Sequence, residues 1–363
     1  MKIAIIRRRF SATGGAELYV QRLIHALQSR GHEIHLFAED WEGLTEGIKL
    51  HKVTVSGNRA AKTRSFATEV RSLIDKGTYD CVFSLERTLA QDVYRAGDGL
   101  HKRWVQIRKE NAPAWKRWLT ASGAFHTSMM ELEQETLSPR NTRHAIANSQ
   151  MVADEIYEHT DFPKERIHLI RNGIDVERFQ SGDRNTTREA WGILPKEKVI
   201  LFVGSGWERK GLDVLIRAFH RTTEEAHLCV VGKGKWKWGQ HSHIHHIGPM
   251  KNVEDACAAA DLLVLPALYE PCANVVSEAL AAGKPVITSS TNGASELIQP
   301  GVNGDILSDA NDLLDLTALL NKWLDIVPAS FDIDSNALSL ERNIDETIAV
   351  LELAAKERKE DPS

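Results

Sequence analysis

The sequence lacks any long hydrophobic run. Its 363 residues contain no stretch of about 18 consecutive apolar side chains, the length that a membrane-spanning helix requires. The opening MKIAIIRRRF has only a short apolar segment, where a secretory signal peptide would need a longer one and a small-residue cleavage site. With 42% hydrophobic and 26% charged residues, the composition is that of a globular protein. We therefore expect a cytoplasmic protein, or one that rests on the inner face of the cytoplasmic membrane.

Cysteine is also scarce, and the few cysteines are far apart. The chain has four, Cys81, Cys229, Cys257 and Cys272, and no C-x-x-C pair. This spacing argues against a disulfide framework and against a zinc site. Because Cys81 and Cys229 fall in apolar, strand-like runs, we expect reduced thiols that lie mostly in the core.

Charge of one sign does not dominate the chain as a whole, since the net charge is −5. Residues 1–172 contain more Lys and Arg than Asp and Glu, whereas residues 173–363 contain more acidic residues. The acidic second half argues against nucleic acid as a partner. The basic first half suits phosphorylated ligands or anionic lipid.

The two halves follow one plan. The first opens with the apolar run KIAII, the glycine loop SATGGAE, a helical pattern stopped by Gly31, and the strand-like EIHLFAED. The second repeats this order with KVILFVG, SGWERKG, LDVLIRAFH and AHLCVVGKG, and continues with HHIG, DLLVLPA and PVITSS. Strand, glycine turn, helix and strand form the unit of a parallel, doubly wound sheet. The sequence predicts an α/β protein with two Rossmann-like domains that face a cleft.

The predicted boundaries divide the chain into 1–175, 176–340 and 341–363. The NG dipeptide near residue 172 is typical of a turn, and residues 181–197 (SGDRNTTREAWGILPKE) are polar, so we expect a loop-rich segment there. The last segment has a charged helical pattern that predicts a helix, which either covers the sheet faces or crosses back to the first domain.

A basic glycine loop follows the first strand of the second half. In GSGWERKG, glycines such as Gly206 allow close backbone approach, and Arg209 and Lys210 supply positive charge for a diphosphate. The spacing does not match a P-loop. The alternative is a solvated turn.

Two carboxylates, Glu270 and Glu278, lie eight positions apart in YEPCANVVSEA. Because the residue before a proline favours extended backbone, we predict Glu270 in a loop and Glu278 in the helix that follows Pro271. The first turn of that helix, from Cys272 to Asn274, would offer backbone N–H groups to an anion. Carboxylates accept hydrogen bonds from sugar hydroxyls, so one ligand that touches both becomes possible. The alternative for Glu278 is a solvent-facing position.

These features bring the chain close to a known family. The E-P-x₆-E pattern, followed by LAAGKPVITSS, resembles the signature of retaining glycosyltransferases of family 4, which have the GT-B fold. Further similar motifs occur in order along most of the chain: TGGAE (13–17), ANS (147–149), RNGID (171–175), GSGWERKG (204–211), VGKG (231–234), AAADLLVLPA (258–267) and GVNGDIL (301–307). Within the family, FAEDWEG (37–43) and GSxxxRKGxD resemble the lipopolysaccharide-core glucosyltransferases.

The resemblance implies a role for each matched position. The first domain would bind the acceptor and the second the nucleotide sugar. Glu270 would contact the donor hexose, Glu278 the ribose, and Arg209 and Lys210 the diphosphate. The loop with Gly14 and Gly15 would close over the reaction centre and contact both substrates. The implied donor-binding residues are Gly15, Gly206, Arg209, Lys210, Glu270, Cys272, Ala273, Asn274, Val275 and Glu278.

On the acceptor side, the resemblance places Asp98 near the reacting hydroxyl, where it would act as a base or as an orienting group. We count Asp98 with Glu270, Lys210 and Arg209 as the candidate catalytic residues. The alternative for Asp98 is a turn aspartate between two glycines.

A basic segment rich in tryptophan follows Asp98. Basic and indole side chains of this kind are typical of a segment that rests among lipid headgroups. The alternative is a basic helix whose tryptophans pack inward. The predicted membrane contacts are Lys102, Arg103, Trp104, Trp115, Lys116, Arg117 and Trp118.

We expect neither a metal nor another cofactor. HSHIHHI (241–247) lacks a nearby carboxylate or cysteine partner and more closely resembles a polar edge strand. DID (332–334) is better explained by helix capping than by a metal-binding D-x-D pair.

The sequence thus predicts a retaining hexosyltransferase that uses a nucleotide sugar and a lipid-linked acceptor. The resemblance to the lipopolysaccharide-core glucosyltransferases implies UDP-glucose as the donor and the inner-core heptose as the acceptor. Three alternatives stay open: a family 4 transferase for capsule or another glycolipid with a different nucleotide sugar, a GT-B nucleotide-sugar epimerase, and a non-catalytic sugar-binding protein.

Overall fold

The computed structural model describes residues 1–10, 15–42, 46–74, 78–120, 122–223, 225–326 and 331–360. The chain forms two compact units. One comprises Met1–Arg171 together with Glu341–Ser363, and the other is Asn172–Leu340. Each unit is built on a parallel β-sheet whose strands alternate with helices. The predicted α/β class is therefore confirmed.

The main sheet of the first unit has seven parallel strands. The strands of this unit are β1 (Lys2–Ile6), β2 (Arg9–Phe10), β3 (Glu33–Ala38), β4 (Asp40–Trp41), β5 (Ile48–Lys52), β6 (Cys81–Ser84), β7 (Val93–Arg95), β8 (His144–Ala147) and β9 (Ile167–Leu169). Their order in the main sheet is β5-β3-β1-β6-β7-β8-β9, and β2 pairs with β4 separately. Because all neighbouring strands of this sheet pair in parallel, their carboxyl ends share one edge.

Five helices follow these strands. They are α1 (Gly15–Ser29), α2 (Arg59–Ile74), α3 (His101–Glu110), α4 (Ala124–Thr136) and α5 (Gln150–His159). In α1 the apolar residues at helical spacing, Val20, Leu23, Ile24 and Leu27, are all buried, as their pattern predicts. The helix ends at Ser29, and Gly31 follows with φ of +77°, a conformation that glycine adopts without strain.

The second unit has a six-stranded parallel sheet. Its strands are β10 (Lys198–Val203), β11 (Ala226–Val231), β12 (Ile244–Gly248), β13 (Leu262–Leu265), β14 (Val286–Ser289) and β15 (Gly304–Leu307). The order is β12-β11-β10-β13-β14-β15. Every residue of β11, β13 and β14 is buried, as expected for strands covered on both faces.

The helices of the second unit include one that the sequence analysis missed. They are α6 (Val176–Gln180), α7 (Arg184–Trp191), α8 (Leu212–Phe219), α9 (Val253–Ala259), α10 (Asn274–Ala281), α11 (Leu313–Asp325) and α12 (Ser335–Leu338). The prediction of a loop-rich segment at 181–197 is wrong, because it contains α7. Asp183 caps this helix through its side chain, and Gly192 ends it in a left-handed conformation. The buried residues of α7 are Thr187 and Arg188, which are polar, so the sequence has no apolar periodicity there that would predict a helix.

The last helix, α13 (Leu340–Glu360), packs within the first unit. Arg358 Nη1 lies 2.6 Å from Asp92 Oδ2, and His144 Nε2 lies 2.9 Å from Glu357 Oε2. The chain therefore leaves the first unit after Arg171 and rejoins it at Glu341. Across the described ranges, none of the helices combines the length and the apolar character needed to cross a membrane.

Candidate functional site

The glycine loop between β10 and α8 is closely packed. Gly204 and Gly206 have φ of +147° and +73°. A Cβ atom on Gly204 would lie 2.5 Å from Cδ of Lys210, and one on Gly232 would lie 2.2 Å from the carbonyl oxygen of Gly204. Gly232 has no room for a side chain beside this backbone, and the positive φ of Gly204 favours glycine, so the lysine side chain can lie against the loop.

The loop directs two cations at one carboxylate. Nη1 of Arg209 and Nζ of Lys210 each lie 2.8 Å from Oε2 of Glu270. This oxygen is buried and makes no regular hydrogen bond to a described residue, so the charge attraction is what holds the three groups together. Arg209 also donates a hydrogen bond of 3.1 Å from Nη1 to the carbonyl oxygen of Tyr269.

Glu270 lies in a loop and Glu278 in a helix, as the sequence predicts. The loop is held by Asn292, which is fully buried. Its Oδ1 accepts hydrogen bonds from the backbone N–H groups of Ala273 at 3.2 Å and Ala294 at 3.1 Å. The backbone of Glu270 pairs with the same segment, because its N–H donates to Thr291 O at 3.0 Å. Asn292 thus fixes the segment that carries Glu270.

The helix after Pro271 starts later than predicted. The expected first turn at Cys272 to Asn274 is wrong, because α10 begins at Asn274 with Ala273 as its N-cap. Asn172 donates from Nδ2 to Oδ1 of Asn274 at 2.7 Å and to the carbonyl oxygen of Cys272 at 3.3 Å. The start of the second unit is thereby fastened to the start of α10. The side chain of Val275 is buried in the core, so the predicted donor contact at this position would have to come from its backbone.

Glu278 is half-buried in α10. Burial raises its pKa from 4.5 to about 7, and Glu254 adds to the rise, whereas Arg178 and Lys210 oppose it. Arg178 Nη2 lies 2.7 Å from Glu254 Oε2. The alternative of a solvent-facing Glu278 is therefore wrong. The structure brings Glu270, Arg209 and Lys210 into direct contact, with Glu278 in the same electrostatic environment.

Three residues that organise this site were missed from the sequence: Asn172, Arg178 and Asn292. Asn172 belongs to the RNGID motif, which could have indicated it. Asn292 follows a strand in a short polar segment and carries no such signal, because its role depends on how the loop folds.

In the first unit, Asp98 is exposed in the turn between β7 and α3, at the carboxyl end of β7. Gly97 and Gly99 flank it, and Gly99 has φ of +62°. Gly14 lies outside the described residues, and Gly15 is the first residue of α1. The predicted acceptor contact at Asp98 is thus on the sheet edge where such folds bind ligands.

The basic, tryptophan-rich segment spans α3 and the residues after it. Trp115 and Trp118 are 68% and 73% exposed, so the alternative in which these tryptophans pack inward is wrong. Lys116 and Arg117 beside them are also exposed. Nearer Asp98, Lys102 is exposed, while Arg103 and Trp104 are half-buried on α3. The segment from residue 113 to 119 therefore presents mixed basic and aromatic side chains to solvent.

The histidine-rich segment ends in β12, which is the edge strand of its sheet, as predicted. Asp334 accepts a hydrogen bond from the backbone of Ala337 and caps α12, so the capping explanation of DID is also confirmed. Throughout the described part of the chain, we find no group of three or more His, Cys, Asp or Glu side chains arranged to hold a metal ion. The four cysteines are free thiols, and all but Cys272 are buried.

Comparison with known proteins relates both units to one class of enzymes. Residues 13–178 match the model of glycosyltransferase family 4, and residues 197–325 match the model of glycosyl transferases group 1. Lipopolysaccharide glucosyltransferase WaaG of Escherichia coli is 25% identical over 342 residues, which cover 89% of this chain and 90% of WaaG. The D-inositol 3-phosphate glycosyltransferase of Mycolicibacterium smegmatis is 22% identical over 87% of this chain and 80% of its own.

Solved structures agree with the fold. The crystal structure of WaaG superposes with a TM-score of 0.77 at 23% identity, covering 98% of both chains. Anabaena HepE in complex with UDP-glucose superposes with a TM-score of 0.65 at 18% identity, covering 99% of this chain and 100% of HepE. With the two family models in sequence order and this fold, the chain belongs to the family 4 glycosyltransferases with the GT-B fold.

Proposed function

We propose that this glycosyltransferase transfers glucose from UDP-glucose to a lipid-linked acceptor, the heptose of the lipopolysaccharide inner core. The observation that carries the proposal is the contact of Arg209 and Lys210 with Glu270 in the second unit. The two cations provide the positive charge that a diphosphate needs. The carboxylate provides the hydrogen-bond acceptor that sugar hydroxyls need. The choice of glucose and of core lipid is supported by the similarity to WaaG along 89% of the chain.

The donor would reorganise this cluster. A diphosphate carries more negative charge than one carboxylate, so it would take Arg209 and Lys210 as its counter-charge. Glu270 would then be released to accept hydrogen bonds from the hexose hydroxyls, and Glu278 would accept those of the ribose. Because the two cations neutralise the leaving diphosphate, we propose a reaction without a metal or other cofactor.

We propose transfer with retention of anomeric configuration. The bond between the anomeric carbon and the diphosphate oxygen breaks, and the acceptor oxygen forms its bond on the same face. The proton of the acceptor hydroxyl passes to the departing diphosphate. Asp98 would orient that hydroxyl by accepting its hydrogen bond before the transfer. A double displacement would require a carboxylate nucleophile at the anomeric carbon, and we assign none.

For the acceptor lipid, we propose that the exposed segment around Trp115 and Trp118 rests on the inner face of the cytoplasmic membrane. Leu119 adds an apolar side chain that is 54% exposed, and Lys116 and Arg117 add charge. Each basic side chain near an anionic leaflet contributes about 1 kcal/mol, and buried indoles add to this, so the attachment would be reversible.

The experiment is UDP release from a panel of UDP- and GDP-sugars, with and without a heptose-terminated core lipid. The proposal requires release that depends on both UDP-glucose and this lipid and that is lost in Glu270→Ala. Release with a different sugar or glycolipid would instead favour a transferase for capsule or another glycolipid. Interconversion of nucleotide sugars without acceptor would favour an epimerase, and binding without turnover a sugar-binding protein.

A further inference from the structure

We propose that Asn148 and Arg87 are positioning residues that hold the turn carrying Asp98. This inference rests on the proposed role of Asp98 beside the acceptor hydroxyl. Within the turn, the N–H of Gly99 donates to the carbonyl oxygen of Ala96 at 3.2 Å, but Asp98 itself lies between two glycines. A Cβ on Gly97 would meet no atom within 4 Å, so no neighbouring group packs against that side of the turn. Glycine has the greatest backbone freedom, and a catalytic carboxylate placed on such a turn needs other restraints.

Two side-chain hydrogen bonds supply such restraints, one on each side of Asp98. Nδ2 of Asn148 donates to the carbonyl oxygen of Gly97 at 3.1 Å. Nη2 of Arg87 donates to the carbonyl oxygen of Gly99 at 2.8 Å. Asn148 is only 2% exposed and the Arg87 side chain 9%, so water does not compete strongly for either bond.

Arg87 is itself held in place. Its Nε donates to Oε2 of Glu133 at 3.0 Å. The Glu133 carboxylate also accepts hydrogen bonds from the backbone N–H groups of His101 at 2.6 Å and Lys102 at 3.0 Å. These are the first residues of α3, the helix that follows the turn. One buried carboxylate therefore connects Arg87 to the helix, and the turn is fixed relative to α3.

The contribution of this network to folding stability does not by itself explain why it is present. A buried ion pair such as Arg87 with Glu133 contributes little compared with apolar side chains of similar volume. In addition, Oδ1 of Asn148 is buried without a hydrogen-bond partner among the described residues. Buried polar groups are nearly always satisfied, so this exception requires an explanation. Fixing the position of Asp98 supplies one, since misplacing a reacting group by about 1 Å costs roughly 100-fold in rate.

The test is a double-mutant cycle on glucose transfer from UDP-glucose to a heptose-terminated core lipid. Asn148→Ala should lower kcat about 10- to 100-fold and leave UDP affinity, measured by calorimetry, unchanged. In an Asp98→Asn background the same substitution should cost less than about twofold, because it acts through Asp98. Losses that multiply in the double variant would overturn the proposal, as would full activity in Asn148→Ala.

Ser149→Ala is the matched control. Ser149 is the buried N-cap of α5 next to Asn148, and its side chain accepts from the N–H of Val152. This variant removes the cap of α5, so it should lose stability and retain kcat. An equal loss of kcat in Ser149→Ala would mean that Asn148→Ala acts through stability, and the proposal would fail.

Two further measurements test the same inference independently. Arg87→Met leaves the buried Glu133 carboxylate without its cation, so it is combined with Glu133→Gln. The combined variant should reproduce the kcat loss of Asn148→Ala. Hydrogen exchange of the backbone amides from 96 to 102 should rise in Asn148→Ala. If the wild-type protein transfers nothing to the core lipid, the proposed function fails, and unchanged exchange would then separately overturn the role of Asn148.

Discussion

The side chain of Lys210 passes over the backbone of Gly204. A Cβ atom on this glycine would lie 2.5 Å from Cδ and 2.7 Å from Cε of the lysine. The same lysine ends 2.8 Å from Glu270. The absence of a side chain at Gly204 therefore sets the path by which the ammonium group reaches the site.

Gly204→Ala should displace Lys210 and weaken UDP binding about tenfold or more, a loss of at least about 1.4 kcal/mol. Calorimetric titration with UDP measures this. Gly192→Ala is the control, because Gly192 also has a positive φ of +70° but a Cβ there meets nothing within 4 Å. It should keep wild-type affinity. If Gly204→Ala weakens binding equally in a Lys210→Ala background, the effect does not pass through the lysine.

Glu270→Gln should separate turnover from nucleotide binding. Turnover with UDP-glucose should fall by about 100-fold or more, because an interaction with the hexose is lost. UDP affinity should stay the same or increase, since Arg209 and Lys210 would no longer be paired with a carboxylate in the free protein. Steady-state kinetics and UDP calorimetry test the two effects. A parallel loss of both would show that Glu270 is structural.

Glu278 should make the second unit less stable at alkaline pH. Its folded-state pKa of about 7 lies above the ordinary value of 4.5, chiefly through burial. Between these values the native state binds more protons than the unfolded state, so the free energy of unfolding falls as pH rises and levels off above pH 7. The penalty is about 3 kcal/mol as an order of magnitude. Glu278→Gln should therefore resist denaturant better than wild type at pH 8 and equally at pH 4. The reverse order would contradict the raised pKa.

Replacing Trp115, Lys116, Arg117 and Trp118 together by serine should abolish co-sedimentation with anionic vesicles. UDP affinity should not change, since these exposed side chains lie outside the donor site. The control removes an exposed leucine and an exposed lysine from the second unit, with Leu314→Ser and Lys196→Ser in one variant, which should sediment like wild type. Unchanged sedimentation of the first variant would remove this segment from the membrane contact.

Transfer activity should survive chelation. If Arg209 and Lys210 supply the positive charge at the diphosphate, EDTA should change kcat less than about twofold, whereas Lys210→Ala should lower it about 100-fold. A loss of activity in EDTA that Mg²⁺ or Mn²⁺ restores would show that a cation takes part.

The fold was largely accessible from the sequence where apolar periodicity is strong. Val20, Leu23, Ile24 and Leu27 repeat at helical spacing and are buried in α1. In α7 the buried face is formed by Thr187 and Arg188, and Arg188 donates from Nη2 to Oδ2 of Asp261 at 2.7 Å. A polar side chain satisfied by a distant partner leaves no apolar pattern, so the helix could not be predicted this way.

The candidate site divides in the same way. The sequence indicated Arg209, Lys210 and Glu270, because their charges and their spacing from the neighbouring glycines are visible without coordinates. Asn292 and Asn148 act through backbone carbonyl and N–H groups that only the folded loops bring near them. A single asparagine in a sequence has too many structural uses for such a role to be inferred.

The return of α13 to the first unit has a consequence for the order in which the chain can fold on the ribosome. Residues 341–360 are translated after every residue of the second unit. His144 on β8 and Asp92 beside β7 therefore lack their partners Glu357 and Arg358 while the second unit emerges and folds. During that interval the surface around His144 and Asp92 is not yet covered by α13, so a chaperone could bind the nascent chain there.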